Sequence, residues 1–335
     1  MKVGILGSGF VVSLFLEAAT KLEEMKLVAI CGHHNVEKTE KIASENHIPF
    51  VYFNYQEMLD NPKVDTIYIG TPNNLHYEQA KQALLNHKNV ILEKPFTRSF
   101  KQAEELVELA KRNKLFLFEA ITVVNTPNFE KTKELVDNFE KIKIVELNYV
   151  QYSSRYDNFK KGIIHPVFDY QKEGGSLRDL GVYNVHFVVG LFGEPLKYQY
   201  YPNIERNVDV SGTLIMTYDH FSCILVSAKD CSNYFDIRIQ GDKKCIHSTS
   251  AIDLYDAFTF VDEGKEETYA LNVHQEMFYS ELSNFISIYA SKDYEKCYQK
   301  LQNSLIVIKI IENVYKEMNA MLGLEIDQTG VSANG

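Results

Sequence analysis

Cysteine is sparse in this chain. Five cysteines (31, 223, 231, 245 and 297) among 335 residues are odd in number, scattered, and without a CxxC pair. That pattern excludes a disulfide framework and suits free thiols in a reducing compartment. No two histidines stand at the spacing of HExxH, and His33 and His34 are adjacent, so a helix or strand aims them in different directions. No metal site is expected. Positive charge is also short: 35 Lys and Arg against 45 Asp and Glu leave a formal net charge of −10. The balance argues against nucleic acid and against adhesion to anionic membranes. A phosphate-bearing ligand must therefore be held by local geometry against the overall field. No segment reaches membrane-spanning length. The opening MKVGILGSGFVVSLFLEAATK has the lysine and apolar stretch of a secretory signal, but Gly7 and Gly9 interrupt it, Glu17 lies inside it and no good A-x-A site follows. A cytoplasmic protein is expected.

What is present is the composition of a soluble globular protein, 45% apolar and 24% charged, with length for two domains. The first 120 residues alternate apolar runs (Val3–Leu6, Leu27–Cys31, Thr66–Ile69, Val90–Leu92, Leu115–Phe118) with helical patterns (Phe10–Glu24, Leu75–Asn86, Phe100–Arg112). Such alternation predicts an α/β fold with a doubly wound parallel sheet, whose ligands bind at the carboxyl ends of strands. After Ala120 the texture changes. Lys143–Gln151 alternates apolar and polar residues, VDVSGTLIMTYDHFSCILVSA reads as two strands joined by a polar turn, and YFDIRIQGDKKCIHS as a hairpin around Gly241-Asp242. Mostly antiparallel sheet is the expectation there, with one helix around Leu177–Leu191 and another closing the chain. The division predicted is a nucleotide-binding domain over residues 1–120 and an α+β domain over 121–335.

Four segments carry chemistry. VGILGSGFVV places Gly7 and Gly9 between strand and helix, with Phe10 next, where a backbone turn can approach a pyrophosphate. Val12 stands where a third small residue is usual. About 20 residues on, where an acidic residue would hold the ribose of NAD, the chain has Gly32 and His33, with Lys38 beyond. Nothing there repels a 2′-phosphate, so NADP is preferred over NAD. A strand-end loop follows at Thr71-Pro72-Asn73, and Asn74 is expected to cap the helix that carries His76. NVILEKPFT ends a buried strand in Glu93 and Lys94, with Pro95 fixing the turn, through either a cis or a trans bond. Finally, EGGSLRDLGVY sets Asp179 and Tyr183 four residues apart, one above the other on a helix.

Taken in order, GILGSGF, TPNNLHYEQAKQAL, KNVILEKPFT, LFLFEA and GGSLRDLGVY resemble the glucose–fructose oxidoreductase / inositol dehydrogenase / rhizopine catabolism family, Gfo/Idh/MocA. Tyrosine at the last position is similar to the dimeric dihydrodiol dehydrogenases. The resemblance implies a Rossmann domain, a second domain with a large open sheet, and homodimers or homotetramers built through that sheet. It also implies hydride transfer between nicotinamide and a hydroxyl-bearing carbon of a sugar, polyol or dihydrodiol. Carried over, Lys94, Asp179 and Tyr183 match catalytic positions, and Gly7, Gly9, Thr71, Asn73, His76, Glu93 and Lys94 match positions around the cofactor. ITVVNTPNF departs from the aromatic-arginine stretch common after EA.

The chemistry expected is proton handling by Tyr183 as donor or acceptor, with Lys94 polarising the substrate oxygen and favouring the phenolate, and Asp179 orienting Lys94. The roles of Lys94 and Tyr183 are exchangeable at this stage. Tyr152, Arg155 and His274 are secondary candidates for substrate contact. A dinucleotide-binding sensor on the same fold is the alternative, though a sensor needs none of the three catalytic residues.

Overall fold

The computed structural model describes residues 1–32, 35–232, 235–273 and 276–324. His33 and His274 lie outside the described residues. The first part runs β1 (Lys2–Leu6), α1 (Phe10–Ala19), β2 (Lys26–Cys31), α2 (Val36–Glu45), β3 (Phe50–Tyr52), α3 (Tyr55–Leu59), β4 (Thr66–Ile69), α4 (His76–Leu85), β5 (Asn89–Glu93), α5 (Phe100–Asn113) and β6 (Leu117–Ala120). Its strands are all parallel, in the order β3-β2-β1-β4-β5-β6. Helices cover both faces, so β4 is buried at every residue and β1 and β5 at all but their first. The apolar stretch that mimicked a secretory signal is thus the central strand and its first helix.

Local chemistry sets the boundaries. α1 stops at Ala19, short of the expected Glu24: beyond it the Lys21 and Leu22 N–H groups bond the Ala18 and Ala19 carbonyls, three residues back, and the chain leaves the helix. α5 starts behind Ser99, whose side chain accepts from the Gln102 N–H, and it ends on Lys111 and Arg112, cations suited to a helix C-terminus. Lys114 then adopts a left-handed conformation and the Leu115 N–H returns to the Ala110 carbonyl, so β6 begins at Leu117, two residues later than the pattern predicts.

The second part adds α6 (Pro127–Val136), β7 (Ile142–Val150), α7 (Tyr156–Lys160), a π-helical turn over Leu177–Gly181 continuing into α8 (Val182–Phe192), then β8 (Lys197–Glu205), β9 (Val208–Thr217), β10 (Ser222–Ala228), β11 (Asp236–Gly241), β12 (Lys244–Ser248), β13 (Phe258–Asp262) and β14 (Lys265–Tyr269), and finally α9 (Tyr279–Ala290) and α10 (Tyr294–Leu322). Eight strands form one open sheet in the order β14-β13-β12-β11-β7-β10-β9-β8. The pairing is antiparallel except between β7 and β10, which run parallel at its centre.

α10 joins the two parts. Its Leu301 and Ile308 pack with the core under β4 and β5, while Val307, Ile310, Ile311, Val314, Tyr315 and Met318 pack into the core of the large sheet. Phe285 of α9 stacks on Phe118 of β6, with ring centroids 4.5 Å apart. One helix with two apolar faces therefore sets the spacing between the carboxyl edge of the parallel sheet and the turn before α8.

Candidate active site

The strand order reverses between β1 and β4, and the loops that follow β1, β4 and β5 meet there. Gly7 has φ +119°, and a Cβ on it would lie 2.5 Å from the Gly70 carbonyl oxygen, so the β1 turn packs directly on the β4 loop. Gly9 precedes the first turn of α1, leaving the N–H groups of that turn open, and Phe10 stands beside them 76% exposed. At the end of β2, the Thr39 side chain fills the space a Cβ on Gly32 would need. No acidic side chain occupies that turn up to Gly32, and Lys38 is exposed on the first turn of α2, capped by Asn35. A backbone cradle with an open helix N-terminus and no carboxylate at the second strand fits the pyrophosphate and ribose phosphate of a dinucleotide. The residues that would hold them are Gly7, Gly9, Phe10 and Lys38.

The β4 loop is fastened from behind. Thr71 donates to Gln79 at 2.5 Å, and Pro72 and Asn73 lead into a 3-10 turn over Asn73–Leu75. That turn corrects the expectation for Asn74. The Leu75 N–H bonds the Pro72 carbonyl at 2.9 Å, α4 begins at His76 after Leu75, and no side chain caps it. His76 is fully buried; its Nε2 meets the Thr71 carbonyl and its Nδ1 the Pro95 carbonyl, each at 3.0 Å. Its ring ties the β4 and β5 loops together and turns neither nitrogen toward a ligand. Burial moves its pKa down, against the two carbonyls that favour the cation.

Glu93 is likewise buried and accepts from the Tyr68 hydroxyl at 2.8 Å. Burial pushes its carboxyl up to about 7, although the Tyr68 hydroxyl and the Lys94 charge oppose the rise. The next residue faces the other way, across a cis Lys94–Pro95 bond. Lys94 Nζ donates to the Asp179 backbone carbonyl at 2.9 Å and to Asp179 Oδ1 at 3.2 Å, and it lies 4.9 Å from the centroid of the Tyr183 ring. The lysine of the parallel sheet and the Asp/Tyr pair of the second part therefore meet.

Asp179 belongs to the π turn and Tyr183 to the first turn of α8. Asp179 is held ionised: burial raises its pKa, but Lys94 and Lys229 together bring it far below the ordinary carboxylate range. Tyr183 differs from expectation. Burial, then the charges of Asp253 and Tyr149, raise its phenol well above the ordinary value, so it stands neutral, and the phenolate anticipated beside Lys94 is not favoured here. Its ring meets that of Tyr149 edge-on at 5.8 Å.

Three further residues border this centre without any signal in the sequence. Lys229, just past β10, donates to Asp179 Oδ2 at 2.6 Å. Tyr149 on β7 donates to Asp253 Oδ2 at 2.7 Å, and the Asp253 charge is felt by both Tyr149 and Tyr183. Tyr152 and Arg155 flank Ser153, whose N–H donates to the Lys229 carbonyl at 2.9 Å. Tyr152 donates to Asp157 at 2.7 Å and accepts from Lys160, and Arg155 is an exposed residue at the start of α7. Among the described residues no group of three or more His, Cys, Asp or Glu is placed to hold a metal ion.

Residues 1–121 match the model of an oxidoreductase family with an NAD-binding Rossmann fold, and residues 133–322 match the family's C-terminal alpha/beta domain. The chain is 31% identical over 325 residues, 95% of its length and 97% of the relative's, to scyllo-inositol 2-dehydrogenase (NADP(+)) of Bacillus subtilis. It is 26% identical over 275 residues, 80% of each chain, to trans-1,2-dihydrobenzene-1,2-diol dehydrogenase of Xenopus tropicalis. In fold it is similar to KijD10, a 3-ketoreductase from Actinomadura kijaniata solved with NADP and TDP-benzene, with a TM-score of 0.82 at 19% identity over 94% of this chain and 97% of that one. The two family matches, which together cover both halves of the sequence, and the 31% identical relative show that the chain belongs to the Gfo/Idh/MocA oxidoreductase family.

Proposed function

We propose that this oxidoreductase interconverts a secondary alcohol and its ketone on a cyclic polyol or sugar, using NADP(H), with Lys94, Asp179 and Tyr183 as its catalytic group. The observation that carries the reading is the convergence of Lys94 and Tyr183, 4.9 Å from nitrogen to ring centroid, across the junction of the two parts. Bound NADP(H) would supply or accept the hydride, which leaves the protein to place the carbon and handle one proton. Of the three N–H donors of Lys94, two are engaged by Asp179. The third is available to the substrate oxygen, where it stabilises developing negative charge. Tyr183, neutral because it is buried, is placed to donate its proton to that oxygen when the carbonyl is reduced. In the oxidising direction the same phenol must first ionise. Reduction should therefore hold its rate into alkaline pH, and oxidation should rise as pH increases.

The absence of an acid at the end of β2, and the NADP(+) dependence named for the B. subtilis relative, favour NADP over NAD. A homodimer or homotetramer assembled through the large sheet and a cytoplasmic location complete the reading. All five cysteines are free thiols, as a reducing compartment requires, and no helix among the described residues is long and apolar enough to cross a membrane.

The test is Tyr183→Phe, assayed for NADP(H) absorbance change with scyllo-inositol, aldoses and trans-dihydrodiols. Turnover should fall by about 10²–10⁴-fold, the usual worth of a positioned acid or base, while NADPH fluorescence titration gives the wild-type affinity. Undiminished turnover in the variant removes the phenol from the chemistry.

A further inference from the structure

The structure contains a second ammonium group that the catalytic roles above do not use. Lys229 is 2% exposed, one residue beyond the end of β10. Its Nζ donates to Asp179 Oδ2 at 2.6 Å and to the Val167 carbonyl at 3.2 Å, and it lies 4.8 Å from the centroid of the Phe168 ring. A lysine so deeply buried loses nearly all its hydration, which only a strong, well-aligned partner offsets. Its backbone is fixed as well: its N–H bonds the Val210 carbonyl and its own carbonyl accepts from Ser153. The charged groups that face it are Asp179 on the π turn, Lys94 beyond β5 and Asp209 on β9.

Asp179 thus carries one negative charge and two cationic partners, one on each carboxylate oxygen. With Lys94 alone, the carboxylate would neutralise the catalytic ammonium and be free to rotate. We propose that Lys229 is a positioning residue: it takes the Oδ2 side of Asp179, fixes the plane of that carboxylate, and leaves the Lys94–Asp179–Lys229 cluster with a net positive charge facing the substrate oxygen. This rests on the roles proposed for Lys94 and Tyr183. The cluster acts in the transition state, where negative charge builds on the oxygen, more than in the ground state. Its loss should therefore appear in kcat rather than in KM.

Burial agrees in direction. It lowers the pKa of Lys229, and the Asp179 carboxylate opposes that shift in part. Replacing Lys229 removes one of the two charges that keep Asp179 ionised, so that carboxyl becomes easier to protonate.

The experiment compares Lys229→Met, Lys229→Gln and Lys229→Arg in the full-length protein by two readouts. The first is the pH profile of kcat for scyllo-inositol oxidation by NADP+. The neutral variants should lose about 10–100-fold in kcat with little change in KM, as expected for one unit charge removed near the reacting oxygen. Their acid limb should move to higher pH, and Lys229→Arg should recover both. The second needs no substrate: the ¹³Cγ resonance of Asp179, assigned by its absence in Asp179→Asn, is followed against pH. It should stay ionised to the lowest pH at which the wild type and Lys229→Arg remain folded, and titrate within the accessible range in the neutral variants. A neutral variant that keeps wild-type kcat and an untitrated Asp179 overturns the assignment. So does a loss of kcat with no movement of either pH midpoint, since that is what a merely structural lysine would give. If Lys229→Met fails to fold, Lys229→Gln and Lys229→Arg decide the same question. Should Tyr183→Phe retain full turnover, the proposed chemistry fails, and the Asp179 titration still tests Lys229 by itself.

Discussion

Glu93 gives a stability prediction whose sign depends on pH. It is 5% exposed, at the carboxyl edge of the parallel sheet, and burial moves its carboxyl from the ordinary 4.5 to about 7. At about 1.4 kcal/mol per pH unit, that difference corresponds to about 3 kcal/mol. Because the folded-state pKa lies above the unfolded one, the folded protein binds more protons than the unfolded chain between those values. Stability from this group is complete below about pH 4.5, is lost as pH rises toward 7, and stays lost above it.

Glu93→Gln keeps the shape and leaves an amide oxygen to accept from the Tyr68 hydroxyl. It sacrifices the contact of the carboxylate with the Lys94 N–H, a hydrogen bond worth about 1 kcal/mol. The variant should therefore be more stable than wild type by about 2 kcal/mol at pH 8, and less stable by about 1 kcal/mol near pH 4.5. Urea unfolding of both proteins across that range, followed by far-UV circular dichroism, gives the difference directly. A difference that does not change with pH refutes the reasoning. Greater wild-type stability at pH 8 would refute it as well, because the buried carboxylate would then be stabilised by partners not accounted for.

Gly7→Ala places a Cβ 2.5 Å from the Gly70 carbonyl oxygen at a backbone φ of +119°, so the β1 turn must move. NADPH fluorescence titration should show a complex weaker by about 5–30-fold, from about 1–2 kcal/mol of strain. Asp209→Ala strips the acceptor shared by the Leu177 N–H and the hydroxyls of Tyr200 and Tyr315, at 2.9, 2.8 and 2.7 Å. It should cost about 3 kcal/mol of stability in a denaturant titration, with a loss of kcat because Leu177 opens the turn that carries Asp179.

Much of this site is written in short, local stretches. Gly7 and Gly9 are legible because a strand-to-helix turn with close backbone approach leaves little choice of residue. Glu93-Lys94 is legible because charge at the end of a buried strand demands a partner. Lys229 was not legible. It follows an ordinary alternating strand, and its place beside Asp179 depends on β10 pairing in parallel with β7, a neighbour nearly eighty residues earlier that local sequence does not name. Tyr149 and Asp253 were hidden for the same reason, since each is one polar residue among many until the sheet is assembled. β3 escaped because three residues are too few to show a period. The closing helix was visible, but its two apolar faces, one for each half of the molecule, became apparent only once both cores were in place.

The convergence that spacing alone could not predict follows from the π turn. Four-residue spacing puts Asp179 and Tyr183 on one helical face, but it does not explain how a lysine from another sheet is held between them. Over Leu177–Gly181 the backbone ladder runs with π rather than α spacing, a local irregularity that often accompanies functional sites. The Asp179 carbonyl lies in that turn and accepts from Lys94 alongside its own carboxylate. Lys94 is therefore referenced to the backbone that also carries Tyr183, and not only to a side chain that could rotate. The Asp209 network fixes the start of the same turn through the Leu177 N–H. A displacement of the turn would move acceptor, carboxylate and phenol together, preserving their relation to one another while α10 preserves their relation to the edge of the parallel sheet. The meeting of the Lys94 ammonium and the Tyr183 ring thus depends on two joints, which is how residues 89 apart in sequence come within 4.9 Å of one another.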